Sequence, residues 1–190
     1  METKGIVIAG VGGQGSLLAS KLLGRVLMNE GYDIKVSEVH GMSQRGGSVI
    51  TYVRFGDKVY SPVIQSGEAE YIISFERIEC ARYAHLLKKG GIIITNTQRI
   101  DPMPVITGAA EYPEDVLEKL RAKDVRIEAM DALALAQQAG SVRAVNIVLM
   151  GQLAKHFHIS YDKWMTALEQ TVKSQFVELN KKAFQLGYEA

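Results

Sequence analysis

The sequence predicts an α/β protein, a three-layer α/β/α sandwich with an inserted β-hairpin and a C-terminal helical pair. Three observations carry that expectation. Short, nearly continuous apolar runs recur at Ile6–Ala9, Tyr71–Phe75 and Ile92–Thr95, as in parallel strands buried on both faces. Segments with helical spacing separate them, the alternation that builds a sheet covered by helices on each side. A glycine turn, Gly10-Val-Gly12-Gly13-Gln14-Gly15, joins the first apolar run to the first helix. At 190 residues the chain is expected to form a single domain over 1–190, long enough for a full core.

In chain order, Gly5–Ala9 is the first strand, and Ser16–Glu30 a helix with Leu18, Leu22 and Val26 on one face and Gly31 as its C-cap. Ile34–Glu38 is a second strand that completes a βαβ unit. Ser48–Phe55 alternates as a strand, and Gly56-Asp57 is placed to turn it into Lys58-Val59-Tyr60 as a hairpin that Pro62 stops. Tyr71–Phe75 is followed by an expected helix from Glu76 to Lys89, ended by Gly90-Gly91, and then by the strand Ile92–Thr95. Asn96–Tyr112 carries Pro102 and Pro104 and allows a short strand at Val105-Ile106. Pro113 opens a helix at Glu114–Lys123. Val125–Ala129 is a strand, and Asp131 caps a helix through Ala139. Val142–Phe157 is apolar on most faces, so it must be covered by the core or by another subunit. Ser160 starts a last helix, Tyr161–Leu186, with Trp164, Leu168, Val172, Phe176, Leu179, Ala183 and Leu186 in one stripe.

Composition excludes several classes. A net charge of +1 without a basic block argues against nucleic-acid binding. No apolar run reaches the roughly 18 residues of a membrane span, and Met1-Glu2-Thr3-Lys4 leads straight into a strand with no secretory leader pattern. A cytoplasmic protein is expected. The lone Cys80 cannot form an internal disulfide or hold an iron–sulfur cluster by itself. The four histidines show no zinc spacing, and a surface position is expected for His85, His156 and His158. No P-loop or Gly-x-Ser-x-Gly elbow is present.

Two segments carry binding chemistry. Gly10-x-Gly12-x-x-Gly15 has the dinucleotide fingerprint in strand–turn–helix context, so the fold is Rossmann-like. Its amides and the helix N-terminus can meet a phosphate, and Glu38 stands where a ribose-binding carboxylate is expected. Gly10, Gly12, Gly13, Gln14, Gly15 and Glu38 are therefore the cofactor-binding candidates. The same glycines equally serve a purely structural role, letting the helix pack close to the strand. The second segment is the loop after the second strand, with His40, Ser43, Gln44, Arg45, Gly46 and Gly47 as candidates. A connection that only turned would need neither the imidazole nor the planar, five-donor guanidinium. On these residues alone a regulatory nucleotide-binding module and a free-standing NAD-dependent oxidoreductase both remain open.

Together, Gly10–Gly15 and Glu38-Val-His-Gly-Met-Ser-Gln-Arg-Gly-Gly-Ser-Val49 resemble the small, gamma-type subunits of the 2-oxoacid:ferredoxin oxidoreductases. His40-Gly41-Met42-Ser43 before Gln44-Arg45-Gly46-Gly47 points to the indolepyruvate branch and its beta subunits. Tyr60-Ser61-Pro62, Ser74-Phe75-Glu76, Gly90-Gly91 and Asn146 extend the likeness along the whole chain, which would then be one pyruvate/ketoisovalerate oxidoreductase gamma-type domain. The resemblance implies a subunit inactive in isolation. A large alpha subunit is expected to hold thiamine diphosphate and iron–sulfur clusters, to decarboxylate an arylpyruvate and to pass electrons to ferredoxin, with the acyl group ending on coenzyme A. For the His40–Gly47 loop it implies one of two roles: Arg45 with the amides of Gly46 and Gly47 on a coenzyme A phosphate, or docking on the large subunit. A homodimer of the isolated chain or an interface with the large subunit is a further expectation, resting on the apolar Val142–Phe157 helix.

Overall fold

A computed structural model describes residues 2–43 and 45–190. Gln44, one of the loop candidates, lies outside the described residues. Six strands form one mixed sheet in the order β2-β3-β1-β4-β5-β6. They are β1 (Lys4–Val11), β2 (Asp33–His40), β3 (Ser48–Gly56), β4 (Ala69–Ser74), β5 (Leu87–Asn96) and β6 (Arg126–Met130). β1, β4, β5 and β6 run parallel, whereas β3 is antiparallel to both β1 and β2. Helices α1 (Ser16–Asn29), α5 (Ala132–Ala139), α6 (Val145–Ala154), α7 (Tyr161–Thr171) and α8 (Val177–Glu189) belong to the core on one face. The thinner layer on the other face comes from α2 (Arg77–Arg82) and α4 (Val116–Arg121); α3 (Met103–Ile106) is a single exposed turn.

The predicted sandwich is present, but its inserted hairpin has different strands. β2 pairs with β3 from Asp33↔Gly56 to His40↔Val49, so the hairpin turns through the Gly41–Gly47 loop and not through Gly56-Asp57. Lys58-Val59-Tyr60 is not a strand. The Val59 amide donates to the Asp33 carboxylate at 2.8 Å, and Val59 is buried there, so no ladder partner is needed. β3 also inserts between β1 and β2, so β2 is parallel to β1 without touching it, and the expected βαβ unit skips one strand. β2 is left as an edge, which suits its polar Asp33, Lys35, Ser37 and Glu38.

Three other expectations change. The helix expected to reach Lys89 stops at Tyr83. After a 3-10 turn at Ala84–Leu86, β5 already begins, and its register jumps from Ala69↔Leu87 to Tyr71↔Ile92. Gly90, at φ +80°, takes up the extra residues of that bulge. Val105-Ile106 belongs to α3 and is not a strand. The last helix is broken at Val172-Lys173, both extended, into α7 and α8. One unbroken helix over 161–186 would run roughly 39 Å at 1.5 Å per residue; the break lets α8 fold back on α6. All ten residues of α6 are buried within this chain, so the core accounts for its apolar character and no second copy or other subunit is needed to cover it.

Far from the glycine turn, His156 is half-buried, not on the surface. Its Nε2 lies 2.9 Å from Glu128, which also accepts from Gln152 at 2.9 Å. Burial pushes the Glu128 carboxyl up, but the His156 and Gln152 hydrogen bonds and the charges of His156 and Arg126 outweigh it, leaving the group below its ordinary 4.5. A depressed folded-state value means stability that is complete above the unfolded pKa and lost as pH falls through the lower folded one. Urea melts at pH 7, 5 and 3 are therefore expected to show wild type losing more stability below pH 4.5 than Glu128→Gln. Parallel losses would refute the role given to this carboxylate.

Candidate functional site

The site lies at the carboxyl edge of the sheet, where β1 and β4 end side by side and ligands of open α/β folds collect. The glycine turn leaves β1 here and opens α1. Gly15 is the N-cap of α1 at φ +89°, and a Cβ on it would stand 2.5 Å from the Asn146 Nδ2, which itself donates to the Gly15 carbonyl at 3.0 Å. Gln14 turns inward. Its Oε1 accepts from the Val11 amide at 2.7 Å and its Nε2 donates to the Phe75 carbonyl at 3.1 Å, stitching the ends of β1 and β4 together. That explains a long polar side chain where smaller residues are usual: Gln14 is a brace under the turn.

The Arg45 loop folds back onto the same turn. Gly12 donates to the Gly47 carbonyl at 2.8 Å and Gly46 donates to the Gly12 carbonyl at 3.2 Å. Gly46 is at φ +76°, and a Cβ on Gly47 would meet the Ser43 carbonyl at 2.6 Å, so the first position favours glycine by its backbone conformation and the second by the close approach. Ser43 closes the bend by donating to the Arg45 carbonyl at 2.7 Å. The two candidate segments are thus one backbone-locked unit. Arg45 is exposed, and no described residue forms an ion pair with it.

Two cavities flank this unit. One, of about 320 Å³, is lined by Gly12, Gly13, Gly15, Ser16, Leu17, Glu38, His40 and Val49. Glu38 faces the start of α1, accepting from Ser16 at 3.0 Å and from Thr51 at 3.2 Å. Glu38 thus puts a negative group at the start of α1, and the Gly12 amide is already spent on Gly47. His40 is exposed, its Nδ1 3.0 Å from the Gly41 carbonyl. The other cavity, of about 200 Å³, lies between Ser43, Gly46, Gly47 and Ser48 on one side and Glu76, Ile78, Glu79, Arg82 and Ile100–Met103 on the other.

Sequence reasoning missed the polar groups of this second cavity. Ser48 hydrogen-bonds both Glu79 and the Tyr83 hydroxyl, and Glu79 pairs with Arg82 at 3.1 Å. Glu76 is buried. It caps α2 through the amides of Ile78 and Glu79 at 2.6 and 3.1 Å, and also accepts from the Ile100 amide and the Tyr112 hydroxyl. Four donors saturate this carboxylate, so it organises the segment after β5. Burial, then the Glu76 hydrogen bond, pushes the Tyr112 phenol well up; Arg77 and Arg99 stack over its ring at 5.2 and 4.4 Å. The available signal was an acidic residue closing a buried strand, Ser74-Phe75-Glu76. Cys80 is fully buried and its thiol is pushed up to about 12 by burial, so it is neither a nucleophile nor a cluster ligand.

The arrangement can position an anion or a partner at an exposed guanidinium on a rigid glycine platform. Residues 5–190 match the family model described as pyruvate ferredoxin/flavodoxin oxidoreductase, and the chain belongs to that family. It is 43% identical over its full length, and over 96% of the relative, to indolepyruvate oxidoreductase subunit IorB of Thermococcus kodakarensis. The IorB of Pyrococcus horikoshii is 44% identical with the same coverage. Among solved structures, the gamma subunit of a keto/oxoacid ferredoxin oxidoreductase from Geobacter sulfurreducens superposes with a TM-score of 0.72 at 24% identity, covering 98% of this chain and 96% of that one. A 2-oxoglutarate:ferredoxin oxidoreductase from Magnetococcus marinus, with coenzyme A among its bound molecules, matches with a TM-score of 0.75 at 20% identity over all of this chain and 31% of the larger one.

Proposed function

We propose that this chain is the small subunit of an indolepyruvate (arylpyruvate):ferredoxin oxidoreductase, supporting oxidative decarboxylation of the 2-oxoacid to its coenzyme A thioester. The observation that carries this is end-to-end identity above 40% with the IorB proteins of indolepyruvate oxidoreductases. The chain's own chemistry is consistent with it. A lone buried thiol fits no cluster, so thiamine diphosphate and iron–sulfur clusters are assigned to a large alpha subunit and ferredoxin is the acceptor of the complex. We assign the chain as one gamma-type domain over 1–190 that works in the cytoplasm; no helix among the described residues is long and apolar enough to cross a membrane.

Within the complex, this chain's role is positional. Arg45 is exposed beside the Gly12–Gly46–Gly47 platform, and we assign it a bidentate guanidinium contact to a coenzyme A phosphate. The Gly46 amide is committed to Gly12, so the side chain carries this contact without it. A second reading, docking of the loop on the large subunit, is favoured by Met42, which is fully exposed in the same loop. Co-expression with the large subunit and an assay of indolepyruvate- and coenzyme A-dependent viologen reduction tests the assignment; tight NAD binding by the isolated chain in calorimetry would overturn it. Arg45→Ala in that complex is expected to raise the coenzyme A KM by about 10- to 100-fold with assembly intact, the loss of a charge-assisted pair worth about 1.5–3 kcal/mol. Loss of co-purification would instead support docking, and unchanged assembly and kinetics would sink both roles.

A further inference from the structure

The outer face of α1 is unlike the rest of the surface. Two cavities of about 470 and 730 Å³ run along it and share Leu17, Lys21 and Thr171. Leu17, Met28 and Val36 line them, with Phe176 at the far end. These four apolar side chains are 46 to 54% exposed, and they are four of the eleven large apolar residues that the described surface exposes. Scattered single exposures are ordinary, whereas a contiguous set marks an interaction surface.

The charge on this face is equally one-sided. Lys21, Arg25, Arg143 and Lys173 line the two cavities, and no Asp or Glu does. None of the four cations forms an ion pair with a described residue. Neighbouring acids are already committed: Glu30 to Lys163 at 2.8 Å, and Glu169 and Glu178 to Lys181 at 2.5 and 3.5 Å. In a chain whose net charge is only +1, four cations around an apolar groove form a local field that anionic groups would complete. The groove is continuous with the candidate site, because Leu17 and Gly15 line both it and the cavity at Glu38 and His40.

We infer that the α1 groove is a docking surface for an acidic, amphipathic segment of the large subunit, its apolar side chains on Leu17, Met28 and Phe176 and its carboxylates on Lys21, Arg25, Arg143 and Lys173. This rests on the small-subunit reading. Such docking would seat the partner beside the Arg45 loop, because the groove opens at the same edge of the sheet.

The test uses the co-expressed complex. Lys21→Glu/Arg143→Glu/Lys173→Glu, all at exposed positions, is expected to fold with an unchanged circular-dichroism melt and to weaken assembly at least tenfold. A control on the opposite layer, Lys119→Glu/Lys123→Glu, is expected to assemble like wild type. Wild-type assembly should weaken between roughly 50 and 500 mM salt, where exposed charges become screened. A photo-crosslinking residue at Met28 should capture the large subunit at a segment rich in Asp or Glu, a readout that needs no charge reversal. Equal assembly of wild type and the triple variant at both salt concentrations overturns the groove assignment while leaving the small-subunit reading intact. Failure of the wild-type chain to assemble at all overturns that reading, and the groove assignment with it. If the isolated chain is a dimer that the triple variant dissolves, the groove belongs to a second copy and the inference is wrong.

Discussion

Replacing Gly187 with alanine is expected to destabilise the chain by about 3 kcal/mol or more, at or above the upper end of ordinary overpacking. Helices α6 and α8 meet backbone to backbone. A Cβ on Gly187 would stand 1.9 Å from the Val148 carbonyl oxygen, and one on Gly151 would stand 2.1 Å from that of Phe184. Neither obstacle is the end of a flexible side chain, and α6 is buried over its whole length, so the clash can be relieved only by separating the helices. A loss of that size corresponds to a melting temperature lower by about 6–12 °C for a chain of this length. Gly24→Ala in α1 supplies the contrast, since nothing lies within 4 Å of the point its Cβ would occupy. There the helix propensity of alanine should act alone and stabilise by about 0.5–1 kcal/mol. Opposite signs for one substitution in two helices would establish the backbone contact; a wild-type melt for Gly187→Ala would refute it.

Gly15→Ala is expected to cost about 2–4 kcal/mol, from two separable causes. At φ +89° a side chain is strained by about 1–2 kcal/mol, and the new methyl would press on Asn146, breaking its hydrogen bond to the Gly15 carbonyl. Asn146→Ala alone removes that bond, at about 0.5–1.5 kcal/mol. Once the amide is gone the methyl has room, so the double variant should be less destabilised than the sum of the singles by at least about 0.5 kcal/mol. Additive effects would mean that the two residues do not meet. Gly13→Ala, at φ +106° but with nothing near its Cβ, should show the strain without the coupling. The effect should also reach the complex. Gly15 anchors the turn whose Gly12 holds Gly46 and Gly47, so displacing it loosens the platform under Arg45 and is expected to lower turnover in the reconstituted enzyme.

The roles of Gln14 and Glu76 show where reading the residues succeeds and where it stops. The glycine spacing is enough to place a strand–turn–helix at residues 5–30, because that signal is local. That Gln14 braces β1 to β4 is illegible in sequence, since Phe75 is 61 residues away. Glu76 looks like an ordinary polar residue closing a strand until the segment at Ile100 and Tyr112 returns to it. His156 reads as a surface residue for the same reason: its partner, Glu128, lies on a strand 28 residues earlier.

By itself the sequence determined the α/β class, the positions of the buried parallel strands, the glycine turn and the loop carrying Arg45. Those follow from apolar periodicity and turn chemistry, which act over a few residues. Only the tertiary structure decided that β3 lies between β1 and β2, that the last helical stripe is cut in two, and that the glycine turn and the Arg45 loop are one unit. Strand order depends on which edges pair across long sequence separations, and the break between α7 and α8 on where Gly187 can reach Val148. The lock between Gly12 and Gly46–Gly47 exists because β3 delivers Gly47 beside the end of β1, a consequence of register that no local pattern encodes.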